Sequence, residues 1–199
     1  ELKGRTATVL AYTDTTYYAL LGMMSKVKLT KNDVNIQAAG PAGVWQQFAA
    51  RKSDAMASTP DWTVTVMEMG LQVDILPADV YFKSMAQAIL ASDETIQKNP
   101  QLIQKLVRAT LRGMKDIMAN PKEAAKAYVA HVPTHQGKEA SIEKMFEMYN
   151  KYVYANQKVP GSMDESRLDE LQKFYVANGV VPQASPLKDL YTNQFVAGK

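Results

Sequence analysis

Along the first eighty residues, short apolar runs rich in β-branched residues alternate with longer stretches whose apolar positions recur every three or four residues. The first run predicts a strand over 5–11, followed by a helix over about 15–27 with Tyr17, Leu20, Leu21 and Met24 on one face. "KLTKNDVNIQAAG" supplies a turn and a short strand at 34–38. "GPAGVWQQFAARKSD" reads as a loop and a helix over about 43–52, and "DAMAS" as a third strand. Pro60 breaks the pattern, "DWTVTVMEMG" predicts a helix ending at Gly70, and "LQVDIL" predicts a fourth strand. Strands alternating with helices argue for a parallel α/β layer.

After a further strand expected at 86–91, the pattern becomes helical almost without interruption. Ser92 caps a short helix in "SDETIQKN". Asn99-Pro100 then opens the most regular helix of the chain, with Asn as N-cap and Pro in the first turn. Ile103, Leu106, Val107, Thr110, Met114, Ile117 and Met118 predict its buried face, with Lys105, Arg108, Arg112 and Lys115 opposite. Asn120-Pro121 repeats the start signal, with Glu123 spaced for a capping box. A helix over about 138–155 follows, and "SMDESRLDELQKFYVANG" closes the set with a stop at Gly179. The shift near 82–92 divides the chain into an α/β part, 1–85, and a helical part, 86–199.

Composition removes several chemistries. The chain has no cysteine, hence no disulfide or thiolate metal site, and its net charge of +3 is too small to argue for nucleic acid. The basic stripe 105–115 reads as the solvated face of a packed helix, and the eleven methionines mostly as core filler. His131 and His135 stand at i,i+4 but flank Pro133, which places them on a loop surface rather than around a metal. Nucleophile-elbow, phosphate-loop and dinucleotide glycine motifs do not occur. The Gly40-Pro41-Ala42-Gly43 turn fits a plain connector and also a helix-start anion site.

Two joins carry more polar and aromatic residues than capping requires. After the first strand come Tyr12, Thr13, Asp14, Thr15, Thr16 and Tyr17; after the third come Ser58, Thr59, Asp61 and Trp62. Thr13 or Asp14 suffices as a cap. The others would stand at the carboxyl ends of parallel strands, where open sheets bind ligands.

"ELKGRTATV", the join after it and "AARKSDAMASTPDW" resemble the solute-binding proteins of ABC importers for nitrate, taurine, sulfonates and thiamine precursors. "ILASDETIQKNPQLIQKLVRATLRGMKDIMANPKEAAKAYVAHVP" and "MDESRLDELQKFYVANGVV" resemble that family's later segments in the same order. The resemblance implies a periplasmic-binding-protein type II-like fold: one parallel-sheet lobe, then a helix-rich segment returning to the other. It also implies export to the periplasm, or a lipid-anchored extracellular form, and delivery of a small organic molecule or anion to a membrane ABC permease. By motif position, Thr13, Thr15 and Thr16 would contact ligand at one helix start, and Ser58, Thr59, Asp61 and Trp62 at the other; Tyr12 joins them as a ligand candidate from its place in the first join. No cofactor, metal, catalytic residue or nucleic-acid partner is implied.

Two departures stand out. Asp14 occupies a place where the family carries small neutral residues, and an acid there repels an anionic ligand unless it turns away as a cap. The family also has a long segment before "LKG", which supplies most of the first lobe. An exposed apolar face is therefore expected on this chain, covered by that segment or by self-association. The rival functions are a ligand-sensing domain of a larger protein and a thiamine-pyrimidine biosynthesis enzyme of the same fold. The family's enzymes carry a cysteine-rich motif, which disfavours the second rival in a chain without cysteine.

Overall fold

The first apolar run forms β1 (Thr6–Val9), the centre of a three-stranded parallel sheet in the order β2–β1–β3. β2 (Asn35–Ala38) pairs along it from Thr6 opposite Asn35 to Val9 opposite Ala38. β3 (Ala55–Met56) pairs with Ala7 and Thr8. This computed structural model describes residues 2–85, 87–155 and 157–196. The chain divides into two units, Glu1–Ser84 and Met85–Lys199, each with its own packing.

In the first unit, strand alternation assigns the two faces of the sheet. Ala7 and Val9 pack with Leu20 and Met24 of α1 (Thr15–Lys26) and with Val34. Thr8 points the other way, fully buried, and its hydroxyl donates to the carbonyl of Val44 in α2 (Gly40–Ala49) at 3.1 Å. Its neighbour Ser53 is also buried, and that hydroxyl donates to the carbonyl of Ala55. Crossovers of one hand that run in opposite directions across a sheet place their helices on opposite faces. That is why α1, between β1 and β2, and α2, between β2 and β3, cover different sides. α3 (Pro60–Glu68) packs against α2. α4 (Ala78–Tyr81) leads into Phe82, whose ring lies on Gly22 of α1.

Several sequence expectations change here. β1 and β3 are shorter than expected. Gly40 to Gly43 are not a loop but the first turn of α2, entered through Gly40 at φ +71° with a proline in its first positions. "LQVDIL" forms no strand: Gly70 (φ +84°) ends α3, and Leu71 N–H closes on the Val66 carbonyl. The outer edge of β3, two residues long, offers too short a ladder to hold a fourth strand, and Leu76 stays exposed. The strand expected at 86–91 is also absent: residues 87–91 are irregular and exposed, and Ala86 lies outside the described residues.

The second unit is helical among its described residues. α5 (Asp93–Lys98) is capped by Ser92, which accepts from Thr95 N–H at 3.2 Å. α6 (Pro100–Ala119) starts at Asn99 as expected, although the Asn99 side chain makes no cap bond. Its buried face differs from the expected one. Ile103 is buried and Val107, Leu111, Met114 and Ile117 are half-buried, whereas Leu106 is 49% exposed and Thr110 and Met118 face solvent. α6 packs against α5, α7 (Pro121–His131), α8 (Glu139–Tyr149) and the segment after α8, and these neighbours leave Leu106, Thr110 and Met118 uncovered. Arg108 and the other basic residues are exposed, as the pattern predicts. Asn120 caps α7 by accepting from Glu123 N–H at 3.2 Å; the Glu123 carboxylate turns to Lys126 instead of closing the box. α8 ends at Tyr149 and continues as a π-helical segment, Asn150–Tyr154, so the helix expected over 138–155 changes hydrogen bonding midway. His131 ends α7 rather than lying on a loop, and His135 is half-buried, stacked on Tyr128 at 5.4 Å. α9 (Glu165–Ala177) is capped by Asp164 and stopped at Gly179, φ +67°.

Candidate functional site

The strand order creates one special place. β1 and β3 are neighbours, yet the chain leaves β1 toward α1 on one face and β3 toward α3 on the other. Such a switch point opens a crevice outside the carboxyl ends of the strands, the position at which open parallel sheets take ligands. Both polar joins lie there. The strand ends are tied together by Ala57 N–H on the Thr8 carbonyl (2.8 Å), Ala39 N–H on Val9 (2.9 Å) and Gly40 N–H on Leu10 (3.0 Å). The start of α2 thus joins the same edge, where the sequence left the Gly40–Gly43 turn open between a plain connector and a helix-start anion site.

At the β1–α1 join the hydroxyls divide into two kinds. Asp14 is the N-cap: its Oδ1 accepts the Thr16 N–H at 2.8 Å and the Thr16 hydroxyl at 2.6 Å. The same Thr16 Oγ1 accepts the Leu10 N–H at 3.3 Å. Thr16 is therefore spent on holding the join closed. Thr13 is exposed and Thr15 half-buried, and among the described residues their hydroxyls hold no hydrogen bond. Tyr12 donates its phenol to the Ile36 carbonyl at 3.0 Å, reaching across to β2. Its ring meets Tyr17 edge-on at 5.3 Å, and Tyr17 lies 5.6 Å from Tyr18. Burial, and then the neighbouring Tyr12 and Tyr18 phenols, push the Tyr17 phenol above its usual value.

The β3–α3 join is built differently. Ser58 Oγ reaches the Thr59 carbonyl at 2.8 Å and Thr63 Oγ1 at 2.9 Å, and the Thr63 hydroxyl donates to the Thr59 carbonyl at 3.1 Å. Thr63 was not among the expected site residues; its signal was a hydroxyl one helical turn after Thr59. Thr59 is the N-cap of α3 but makes no side-chain cap bond, and Pro60 follows it. Asp61 and Trp62 are half-buried in the first turn. All eight expected residues thus lie at the carboxyl edge of one sheet. Across residues 10–17, 39–43 and 57–62 there are two carboxylates, Asp14 and Asp61, and no Lys or Arg.

The second unit holds a cavity of about 260 Å³ beside α9, lined by Leu168, Leu171, Tyr175, Val181 and Leu190 among others. Gln172 at its rim is occupied by both backbone groups of Ser185, at 3.1 and 2.7 Å. Among the described residues, no group of three or more His, Cys, Asp or Glu is placed to hold a metal ion. None of their helices is long and apolar enough to cross a membrane.

Residues 1–124, more than half of the chain, match the sequence pattern of the NMT1/THI5-like family. The chain belongs to that family. NMT1/THI5-like proteins have the periplasmic-binding-protein type II-like fold, in agreement with the parallel α/β layer of the first unit. The chain is also 27% identical over 206 aligned residues to the riboflavin-binding protein RibY of Chloroflexus aurantiacus. That alignment covers all of this chain and 58% of the relative, so the chain spans little more than half the relative's length.

Proposed function

We propose that the protein is the solute-capturing component of an ABC importer, acting outside the cytoplasm without catalysis. It takes a small heteroaromatic molecule of riboflavin's kind and delivers it to the membrane permease. The observation that carries this reading is the aromatic wall at the β1–α1 join. Tyr12 is fixed by its bond to Ile36 and by Tyr17 against its edge, next to the unspent hydroxyls of Thr13 and Thr15. A planar ring stacks on such a wall at little entropic cost, because the wall is already ordered. Trp62 at the neighbouring join supplies a second ring on the same edge. The riboflavin binding named for the relative supports the same solute class.

The test is quenching of riboflavin fluorescence by the full-length protein. Thr13→Ala combined with Thr15→Ala removes two hydroxyls that hold no hydrogen bond among the described residues, so thermal stability should hold. Two lost ligand hydrogen bonds at about 1 kcal/mol each weaken binding by about tenfold or more. Unchanged affinity in that double variant would remove the join from the binding site, and no quenching at all would remove the solute class.

A further inference from the structure

We propose that the outward face of α6 is a docking surface for an anionic lipid leaflet, formed by two rows of unpaired cations beside a row of uncovered leucines.

The charge on α6 is one-sided. Lys105, Arg108, Arg112 and Lys115 are all exposed, and Asp116 is the only acidic residue of the helix, an excess equal to the net charge of +3 on the whole chain. Among the described residues none of the four basic side chains holds a hydrogen bond or an ion pair. Lysines on α5, α7 and α9 do: Lys98 meets Glu94 at 2.8 Å, Lys126 meets Glu123 at 2.7 Å and Lys173 meets Asp169 at 2.6 Å. A face kept charged only for water mixes the two signs, as α7, α8 and α9 do.

Beside these cations the helix leaves apolar surface in water. Leu102 is 53% exposed and Leu106 49%, and Ala109 and Gly113 continue the same row. A Cβ on Gly113 would meet nothing within 4 Å, so no described residue covers the end of that row. The helical repeat sets Lys105 and Arg112 alongside it, at i+3 from Leu102 and Ala109, with Arg108 and Lys115 in the next row round.

This arrangement selects among partners. A second copy of the chain would set cations against cations. A partner helix laid along the leucines would reach Lys105 and Arg112 and leave Arg108 and Lys115 in water. A leaflet presents negative headgroups across its whole plane and so takes both rows. It also accepts the leucines at the edge of its acyl chains, while the long basic side chains reach up to phosphate. The four cations lie within about 15 Å of helix, close enough to act on one patch of headgroups at low salt.

The test is co-sedimentation of the full-length protein with vesicles of phosphatidylcholine alone and of equal parts phosphatidylcholine and phosphatidylglycerol. Each basic residue at an anionic surface is worth about a fivefold change in partition constant. The phosphatidylglycerol vesicles should therefore bind at least about thirtyfold better, and added salt should erase the difference. Arg108→Gln with Arg112→Gln should lower that ratio at least about tenfold. Lys126→Gln with Lys173→Gln removes the same net charge from lysines that already hold carboxylates, and should lower it less than about threefold. All four residues are exposed, so both double variants should keep the melting temperature of the native protein. Equal binding to the two kinds of vesicle, which an acidic protein partner or a merely solvated face would give, overturns the proposal. So does an equal loss in the two double variants, which would make net charge rather than α6 the cause. No solute enters this assay, so its failure leaves the solute reading standing.

Discussion

Gly22 sits in the middle of α1, buried, where helix propensity alone recommends alanine. Replacing an interior glycine by alanine stabilises a helix by about 0.8–1 kcal/mol. The structure reverses that sign. A Cβ on Gly22 would stand 2.4 Å from both Cγ and Cδ1 of Phe82 and 2.8 Å from Cδ2, against an ordinary carbon contact of about 3.5–4.0 Å. The ring must retreat by about 1 Å. It has little freedom to do so, because Phe82 is buried and its N–H is held by the Ala78 carbonyl at 2.7 Å. Overpacking of this kind costs about 1–3 kcal/mol, which cancels the propensity gain and leaves a net loss of up to about 2 kcal/mol. In a chain of this size that lowers Tm by up to about 8 °C. Both tryptophans, Trp45 and Trp62, lie in the same unit as Gly22, so a thermal melt followed by tryptophan fluorescence reads this unit. Gly113 in α6 is the control. A Cβ there meets nothing within 4 Å, and Gly113→Ala should raise the circular-dichroism midpoint by about 1–4 °C. In a Phe82→Ala background, Gly22→Ala should become neutral or stabilising. If Gly22→Ala alone raises Tm as Gly113→Ala does, the contact with Phe82 is not what holds α4 to α1.

The phase of α6 predicts that Ile103→Ala costs about 2–5 kcal/mol while the exposed Leu106→Ala costs under about 1 kcal/mol, which urea unfolding of the two variants will separate. At the β1–α1 join, Thr16→Ala should cost about 1–2 kcal/mol by releasing both Asp14 and the Leu10 N–H, whereas Thr13→Ala should stay within about 0.5 kcal/mol; equal losses in fluorescence melts would refute the division of hydroxyls. The Ser166 hydroxyl, and then the Arg167 N–H, hold the Asp164 carboxyl below its usual 3.8. A carboxyl lowered in the folded state stabilises fully above its unfolded value and loses that contribution as pH falls through the folded one. The stability gap between the native protein and Asp164→Asn should therefore be constant near neutrality and close on acidification below 3.8; a gap that persists in acid would refute it.

The sequence by itself determined where elements begin and end whenever the decision is made by neighbours along the chain. Ser92, Asp14, Asn120 and Asp164 each accept an N–H from two or three residues on, and Gly179 takes the left-handed conformation that ends α9. These bonds form within a few residues, so no distant contact is needed to foresee them. The alternation of strands and helices as far as α3 was legible for the same reason, and the strand ends that carry the two joins followed from it. Tertiary structure decided what each apolar or polar side chain is used for. "LQVDIL" carries a strand pattern, but a strand needs a neighbouring edge, and β3 offers two residues of one. Ile103 and Leu106 share one face on a helical wheel, yet the elements packed on α6 bury Ile103 and leave Leu106 half exposed. Thr13, Thr15 and Thr16 are the same residue type within four positions, yet only Thr16 meets both Asp14 and the end of β1. Local hydrogen bonds and dihedral preferences are written in adjacent residues; pairing, burial and the fate of a hydroxyl depend on which surface the rest of the chain brings against it.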